Sequence, residues 1–169
     1  MSIMVYELAT GAGVSRRRSR CHPNRARDPR GRTDKYKEQA VKTLERIVLI
    51  DDDTMDNTYH TLVLRKAAVA REIIAFTDPA QALDYLKSAP AVDLIFLDLN
   101  MPRMTGFEFA TALGKLPAAR QAPVIMLTAS PSDEDRARAG QHPEIRDYLS
   151  KPLTQKGVRQ MLERLFAEA

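Results

Sequence analysis

The 169-residue sequence has one cysteine and no tryptophan, and it lacks any long hydrophobic run. The lone cysteine, Cys21, excludes an internal disulfide and is compatible with a reducing compartment. No apolar run exceeds about five residues, whereas a membrane-spanning helix needs roughly 20. These absences exclude disulfide-stapled scaffolds and predict no membrane segment, so we expect a cytoplasmic protein whose oligomeric state the sequence leaves open.

Acidic charge is scarce near the N-terminus, and most of the acidic residues lie in the rest of the chain. Residues 1–46 carry 12 of the 26 lysines and arginines but only 5 of the 22 aspartates and glutamates. The remaining chain is therefore mildly acidic, although the whole sequence has a net charge of +4. The overall basicity is weak evidence that the folded part binds nucleic acid.

The basic N-terminal segment also lacks hydrophobic periodicity. Residues 15–32 contain eight arginines, and such a stretch cannot bury enough apolar area to offset its ordering entropy. We expect residues 1–43 to form a disordered tail before a domain at 44–169. Three interpretations remain open: a solvated tail or a stretch outside the natural protein, with Val41 as an alternative start; a polyanion-binding arm; and an organelle-targeting presequence.

From Leu44 onward, short apolar runs alternate with amphipathic stretches. The predicted strands cover 47–50, 72–76, 93–97, 123–127 and 145–149, and the predicted helices cover 54–67, a stretch after Asp78, 105–116, 132–139 and 154–167. Five such units with uninterrupted apolar strands imply an α/β fold, a doubly wound (βα)5 parallel sheet covered on both faces. In the first helix, the spacing predicts one shared face for Met55, Tyr59, Leu62, Val63 and Lys66.

Polar residues follow four of the predicted strands. They are Asp51, Asp52 and Asp53 after the first strand, Asp98 and Asn100 after the third, Thr128 and Ser130 after the fourth, and Lys151 after the fifth. Sites in parallel sheets form at the carboxyl ends of strands. Each residue alone is ordinary, as a helix cap or a loop residue. Together they predict acids, a hydroxyl and an ammonium at one edge of the sheet.

The grouped carboxylates predict a divalent cation. Carboxylates held close together repel one another, and hard oxygen ligands without nearby His or Cys suit Mg²⁺ (or Mn²⁺) rather than zinc. Lys151 and the Thr128 hydroxyl are then suited to phosphoryl oxygens. A carboxylate near a cation, with an ammonium opposite, can act as a nucleophile toward phosphorus. The residues therefore predict an aspartyl-phosphate site in which Asp98 attacks.

Four segments, IVLIDDD, FLDLNMPRMTGFE, PVIMLTAS and DYLSKPLT, resemble the receiver domains of two-component response regulators in type, order and spacing. The resemblance covers residues 45–169 and implies a flavodoxin-like strand order of 2-1-3-4-5. It implies a phospho-acceptor that catalyses its own phosphorylation and slow dephosphorylation, and not an enzyme with other substrates. The implied partners are a sensor histidine kinase or histidine phosphotransfer protein and a downstream protein target. The end of the chain soon after the last helix leads us to expect a stand-alone receiver without a DNA-binding domain, similar to the chemotaxis type, with an intermediate in a phosphotransfer relay as an equal alternative.

The resemblance also implies roles for the acidic residues. Asp98 would be the phospho-acceptor and a metal ligand. Asp51 and Asp52 would hold Mg²⁺ directly or through water, and the backbone carbonyl of Asn100 would supply a further ligand. Asp53 stands at the family's variable next position, where we expect it to face solvent.

Other residues would contact the phosphoryl group or respond to it. Thr128 and Lys151 would bind its oxygens, with a cis peptide bond between Lys151 and Pro152. Tyr148 would be the aromatic side chain that follows Thr128, and the face formed by the fourth helix, fifth strand and fifth helix would change its partner affinity. Gly106 would free the backbone after the segment Met-Pro-Arg-Met-Thr at 101–105. Asn100 and Ser130 are candidates for setting the phosphoryl lifetime.

One segment departs from the family pattern. In residues 139–146, AGQHPEIR, the sequence His142-Pro143-Glu144 intervenes where many receivers place a small-residue turn before the last strand. This leaves partner choice and switching geometry open. We expect His142 to be a solvated loop histidine, with a pH-sensitive contact as the alternative, and we expect His60 to be exposed on the first helix.

Two other functions compete with the receiver interpretation. A haloacid-dehalogenase-type phosphohydrolase also uses a strand-end aspartate, a threonine and a lysine, and Asp51-x-Asp53 imitates its first motif. However, Met55 stands where that family has Thr or Val, and residues 152–161 lack the acidic pair expected after the lysine. The other rival is a pseudo-receiver that binds partners without phosphorylation, which the complete set of acids, threonine and lysine disfavours.

Overall fold

A six-stranded sheet forms the centre of the structure, a computed structural model that describes residues 4–7, 43–117, 121–129 and 132–166. The strands are β1 (Met4–Glu7), β2 (Leu44–Ile50), β3 (Ala70–Phe76), β4 (Leu94–Asp98), β5 (Val124–Thr128) and β6 (Ile145–Ser150). Their spatial order is β1-β3-β2-β4-β5-β6, and all neighbours are parallel except β1 and β3. Counting the parallel strands alone, the predicted order 2-1-3-4-5 is confirmed.

Five helices connect and cover the parallel strands. They are α1 (Thr54–Ala67), α2 (Pro79–Ser88), α3 (Gly106–Gly114), α4 (Asp133–Ala139) and α5 (Gln155–Phe166). Four of the helices begin after a short polar N-cap residue whose side chain accepts a backbone N–H: Asp53, Asp78, Thr105 and Ser132. Thr105 and Ser132 also form capping boxes with an acidic residue three positions later. Within the described residues, none of the helices is both long and apolar enough to cross a membrane.

Apolar side chains pack on both faces of the sheet because alternate residues of a strand point to opposite sides. In β2, Leu49 joins a buried cluster with side chains of α1 and α5, including Leu64 and Val158. The neighbouring Val48 joins a second cluster with α2 and α3, including Phe109. Each fully buried aliphatic side chain contributes about 1.5–3 kcal/mol. The two clusters hold the parallel strands in register, and the register fixes where their carboxyl ends lie.

The expectation of a disordered tail over residues 1–43 is corrected at one place. Met4–Glu7 forms β1, which pairs antiparallel with β3 at the edge of the sheet, with Val5 opposite Ile74. Four consecutive residues without Gly or Pro can add to an open sheet edge through backbone hydrogen bonds alone, which hydrophobic periodicity does not reveal. Residues 8–42, including the arginine-rich stretch, lie outside the described residues.

The packed face of α1 differs from the sequence prediction. Met55, Tyr59 and Leu62 are exposed, at 75%, 45% and 51% of their full accessible area. The buried face instead carries Asn57, His60, Thr61, Val63, Leu64 and Ala67. The prediction that His60 is exposed is therefore wrong, since its side chain is only 1% exposed. Among the described residues, none is a hydrogen-bond partner for either ring nitrogen of His60.

Candidate functional site

The predicted site residues gather at the carboxyl edge of the parallel sheet. Asp51 directly follows β2, Asp98 is the last residue of β4, Thr128 is the last residue of β5, and Lys151 directly follows β6. These strands are consecutive neighbours in the sheet. Asp51, Asp98 and Thr128 are buried, with exposed fractions of 2%, 7% and 3%. The carboxyl ends of these buried strands therefore bring four polar side chains together at one edge of the sheet.

The ammonium of Lys151 is the centre of this site. Its Nζ lies 2.6 Å from Asp51 Oδ2, 2.6 Å from Asp98 Oδ1 and 2.9 Å from Asp56 Oδ2. Its backbone N–H donates to the carbonyl of Thr128 at 2.9 Å, which ties the loop after β6 to the end of β5. An ammonium has three N–H donors, and each has one carboxylate within hydrogen-bond distance. Lys151 thus joins the ends of β2 and β4 to the first turn of α1.

Burial and hydrogen bonding shift the pKa values at the site. Burial raises the pKa of Asp51 to about 6, although its hydrogen bonds to Lys151 and to the Asp53 backbone act in the opposite direction. For Lys151, burial alone would lower the pKa, but hydrogen bonds to Asp51, Asp98 and Asp56 outweigh it and raise the pKa above its usual range. The lysine is therefore cationic at neutral pH, while one neighbouring carboxylate takes up a proton easily.

Backbone amides bond to the two buried carboxylates, and one side-chain amide ties the backbone at the ends of β2 and β3 together. The N–H of Asp53 donates to Asp51 Oδ1 at 3.0 Å, and the N–H of Asn100 donates to Asp98 Oδ2 at 2.8 Å. Asn57 Nδ2 donates to the backbone carbonyls of Asp51 at 2.8 Å and Phe76 at 3.0 Å. Sequence reasoning missed Asn57 because its importance lies in where α1 meets the ends of β2 and β3.

Two acids after β2 lie outside the buried group. Asp52 and Asp53 are exposed, and Asp53 Oδ1 accepts the backbone N–H of Met55 at 2.7 Å as the N-cap of α1. The expected solvent-facing position of Asp53 is confirmed. This capping contact satisfies one of the unpaired N–H groups at the start of the helix.

Asp56 is a second residue at this site that sequence reasoning missed. It lies in the first turn of α1 and contacts the Lys151 ammonium from a position 95 residues earlier in the chain. An acid in the first turn of a helix usually signals no more than a favourable interaction with the helix dipole. Only the folded chain shows that this carboxylate faces the site.

Gly106 begins α3 where the backbone passes close to the end of β4. Its N–H donates to the carbonyl of Leu99 at 2.9 Å. A Cβ at this position would lie 2.6 Å from Met126 Cε and 2.8 Å from the Asp98 carbonyl oxygen. The predicted reason for the glycine, a freer backbone, is corrected: lack of space for a side chain excludes larger residues here.

One residue expected to respond to the phosphoryl group lies beside the same edge. Tyr148, in β6, is half-buried, and its hydroxyl donates to the backbone carbonyl of Asp135 in α4 at 3.0 Å. The peptide bond between Lys151 and Pro152 is cis, as predicted. Ser130 lies outside the described residues. Tyr148 thus links the last strand directly to the backbone of α4.

His142 is not the solvated loop residue that the sequence suggested. It is half-buried, and its ring stacks on Phe107, with centroids 5.6 Å apart. The guanidinium of Arg138 lies 4.4 Å from the centre of the same Phe107 ring, within the range of a cation–π interaction. The unusual loop before β6 therefore packs, together with α4, against the first turn of α3.

The donor set at the site fits a hard divalent cation. Asp51 and Asp98 each place one carboxylate oxygen 2.6 Å from the Lys151 ammonium. Two carboxylates this close together need a positive charge beside them, which the ammonium supplies. Oxygen donors of this kind suit Mg²⁺ and Mn²⁺. In the described part of the chain, no group of three or more His, Cys, Asp or Glu side chains has the arrangement to hold a metal ion by itself, because the three carboxylates here all face Lys151. Mg²⁺ normally keeps several waters and needs only one or two carboxylates, so two converging carboxylates are sufficient.

A family model described as the response regulator receiver domain matches residues 47–163, more than half of the chain. The cyclic di-GMP phosphodiesterase response regulator RpfG of Xanthomonas campestris pv. campestris is 35% identical over 113 residues. That match covers 67% of this chain but only 29% of RpfG, so the chain spans less than a third of that relative.

Solved structures show the same architecture. The chemotaxis protein CheY4 of Vibrio cholerae superposes with a TM-score of 0.63 at 25% identity, covering 73% of this chain and 100% of CheY4. The receiver domain of the sensor histidine kinase PA1611 of Pseudomonas aeruginosa gives a TM-score of 0.61 at 25% identity, covering 72% and 97%. That second structure is described with a magnesium ion coordinated in its active-site cleft.

Proposed function

This chain belongs to the response regulator receiver domain family, and we propose that it accepts a phosphoryl group on Asp98. The observation that carries the proposal is the placement of Asp98 Oδ1 2.6 Å from the Lys151 ammonium, at a strand end that also has Thr128 beside it. Asp98 is 7% exposed, so the carboxylate is partly desolvated but reachable from the rim.

The proposed reaction is a phosphoryl transfer from a phosphohistidine or a small acyl phosphate. A carboxylate oxygen of Asp98 attacks phosphorus, a new P–O bond forms, and the bond to the donor imidazole or acyl oxygen breaks with its electron pair staying on the donor. Lys151, which is cationic at neutral pH, donates hydrogen bonds to the phosphoryl oxygens and so stabilises their negative charge during the transfer. The Thr128 hydroxyl is the second proposed contact. Attack by water on phosphorus later returns the carboxylate.

We further propose that Mg²⁺ (or Mn²⁺) is held by Asp51, Asp52, Asp98 and the backbone carbonyl of Asn100. When bound, the ion would neutralise negative charge on the phosphoryl oxygens. The raised pKa of Asp51 supports this role, because a buried carboxylate that binds a proton easily also gains from a nearby cation. The magnesium described in the PA1611 receiver domain lends further support.

The proposed output is a change in the surface formed by α4, β6 and α5. Phosphorylation adds close to two negative charges near Lys151 and Thr128. Tyr148 is suited to transmit the change, because its hydroxyl bonds to the backbone of α4. We propose that the donor is a histidine kinase or histidine phosphotransfer protein and that a downstream protein reads the altered surface.

The phosphohydrolase alternative would require Asp53 to act as an acid or base at the site. Asp53 instead caps α1 and is exposed to solvent. The protein is therefore proposed to be a self-phosphorylating switch and not an enzyme that turns over phosphate esters. Phosphorylation with acetyl phosphate distinguishes the pseudo-receiver alternative from the proposed function.

The proposal is tested by incubating the full chain with acetyl phosphate and Mg²⁺ and measuring the intact mass. A stable gain of one phosphoryl group is expected, and Asp98→Asn should abolish it. Asp84→Asn is the matched control, because Asp84 pairs with Lys87 at 2.8 Å on the exposed face of α2. Absence of any gain in the wild type would favour the pseudo-receiver, and rapid turnover of phosphate esters would favour the hydrolase.

A further inference from the structure

Asp56 is the third carboxylate on Lys151, and neither the metal set nor the phospho-acceptor includes it. Its Oδ2 lies 2.9 Å from Lys151 Nζ. The Asp56 side chain is 42% exposed, whereas that of Lys151 is 17% exposed. Asp56 is therefore the most exposed of the three carboxylates around the ammonium.

The backbone around Asp56 is held on both sides. The preceding Asp53 caps the helix through the N–H of Met55, and its carbonyl accepts the N–H of Asn57 at 3.0 Å. The following Asn57 is buried and bonds to the carbonyls at the ends of β2 and β3. These contacts fix the backbone that carries Asp56, so its carboxylate reaches Lys151 from a defined position.

Phosphorylation of Asp98 changes which groups can accept hydrogen bonds from the Lys151 ammonium. Before transfer, its three N–H donors face Asp51, Asp98 and Asp56. After transfer, the Asp98 carboxylate has become an acyl phosphate, and Asp51 is committed to the proposed metal site. Asp56 is then the only one of the three carboxylates that can still hold the ammonium without taking part in the chemistry.

We propose that Asp56 is a positioning residue that keeps the Lys151 ammonium directed at the phosphoryl group on Asp98, an inference that rests on the proposed function. A long lysine side chain loses several rotatable bonds of freedom when its end is fixed. Asp56 removes that freedom before the phosphoryl group arrives, since Lys151 is already held at the place where it is needed.

The test compares two substitutions that separate an acceptor from a charge. Asp56→Asn keeps an oxygen acceptor and removes the charge, whereas Asp56→Ala removes both. Asp84→Ala is the matched control, since it breaks an Asp–Lys pair of 2.8 Å far from the site. The first readout is the phosphorylation rate with acetyl phosphate at saturating Mg²⁺. The second is hydrogen exchange at the Lys151 ammonium by ¹⁵N NMR, with the signal assigned from Lys151→Arg.

We expect Asp56→Ala to phosphorylate about threefold to tenfold more slowly, the size expected when a half-exposed charge-assisted hydrogen bond is lost. Its ammonium should exchange faster. Asp56→Asn, which keeps an oxygen acceptor without the charge, should fall between Asp56→Ala and the wild type in both readouts, and Asp84→Ala should stay within about twofold of the wild type. An unchanged Asp56→Ala would overturn the proposal. Faster phosphorylation in both Asp56 variants would show that Asp56 competes for Lys151, which also overturns it.

Stability and wild-type behaviour separate the remaining outcomes. Equal slowing of Asp56→Ala and Asp56→Asn, with equal loss of thermal stability, would indicate a role in the helix alone and would refute positioning. A wild-type protein that takes up no phosphoryl group would refute the proposed function. In that case the NMR measurement still decides whether Asp56 holds the ammonium, so the two failures are distinguishable.

Discussion

Replacing the buried carboxylate of Asp51 with an amide should change how stability depends on pH. Asp51 is 2% exposed, and burial raises its pKa from an ordinary 3.8 to about 6. Between these values the folded state binds a proton that the unfolded state has lost. Protonation of Asp51 therefore stabilises the folded wild type fully below about pH 4. This contribution to the free energy of unfolding is lost as the pH rises through 6. Asp51→Asn lacks the titration.

The magnitude follows from the size of the shift. A difference of about two pKa units corresponds to about 3 kcal/mol in the free energy of unfolding. The wild-type stability, measured relative to Asp51→Asn, should therefore fall by up to about 3 kcal/mol between pH 4 and pH 7. Loss of the contact with Lys151 adds an offset that is constant in this range, because the lysine stays cationic.

The assay is urea unfolding of both proteins at several pH values, with a chelator present to remove divalent ions. Asp84→Asn is the control, since it removes an exposed carboxylate that also pairs with a lysine. A flat difference curve between wild type and Asp51→Asn, or one that rises with pH, would refute the reasoning. Adding Mg²⁺ at pH 7 should stabilise the wild type more than Asp51→Asn if Asp51 is a ligand.

Three further substitutions test the surroundings of the site. Asn57→Ala should lower the free energy of unfolding by about 2–4 kcal/mol, because two buried carbonyls lose a donor; urea unfolding measures it. Gly106→Ala should cost about 1–3 kcal/mol by crowding, whereas Gly140→Ala, with its nearest neighbour at 3.4 Å, should be close to neutral in the same assay. His60→Leu should reduce the loss of stability on acidification below pH 6.5, because burial lowers the pKa of this histidine and an unfolded chain takes up the proton first.

Each of these has a result that contradicts it. An Asn57→Ala variant as stable as the wild type would mean that water replaces the side-chain donor at no cost. Equal effects of Gly106→Ala and Gly140→Ala would show that space at the end of β4 is not limiting. Identical acid curves for His60→Leu and the wild type would show that the buried imidazole does not titrate with unfolding.

The first helix shows where reading from the sequence failed. Hydrophobic spacing grouped Met55, Tyr59 and Leu62, yet these side chains are exposed. The helix instead turns Asn57 and His60 inward, because Asn57 bonds to carbonyls at the ends of two strands. The carbonyl of Asp51 lies 6 residues from Asn57 in the sequence and that of Phe76 lies 19 residues away. Removing a donor from buried carbonyls costs more free energy than burying a few more apolar atoms gains. A polar anchor of this kind leaves no periodic signal.

The sequence alone determined the alternation of apolar strands and capped helices, the parallel sheet and the set of strand-end residues, because these depend on local period and on the chain order of the strands. It could not determine which side chains meet within hydrogen-bond distance. Contacts such as that between Lys151 and Asp56 join residues 95 positions apart. The edge strand β1, the inward His60 and the stacking of His142 on Phe107 likewise arise only when separate elements pack, since their energies come from neighbours that no local pattern specifies.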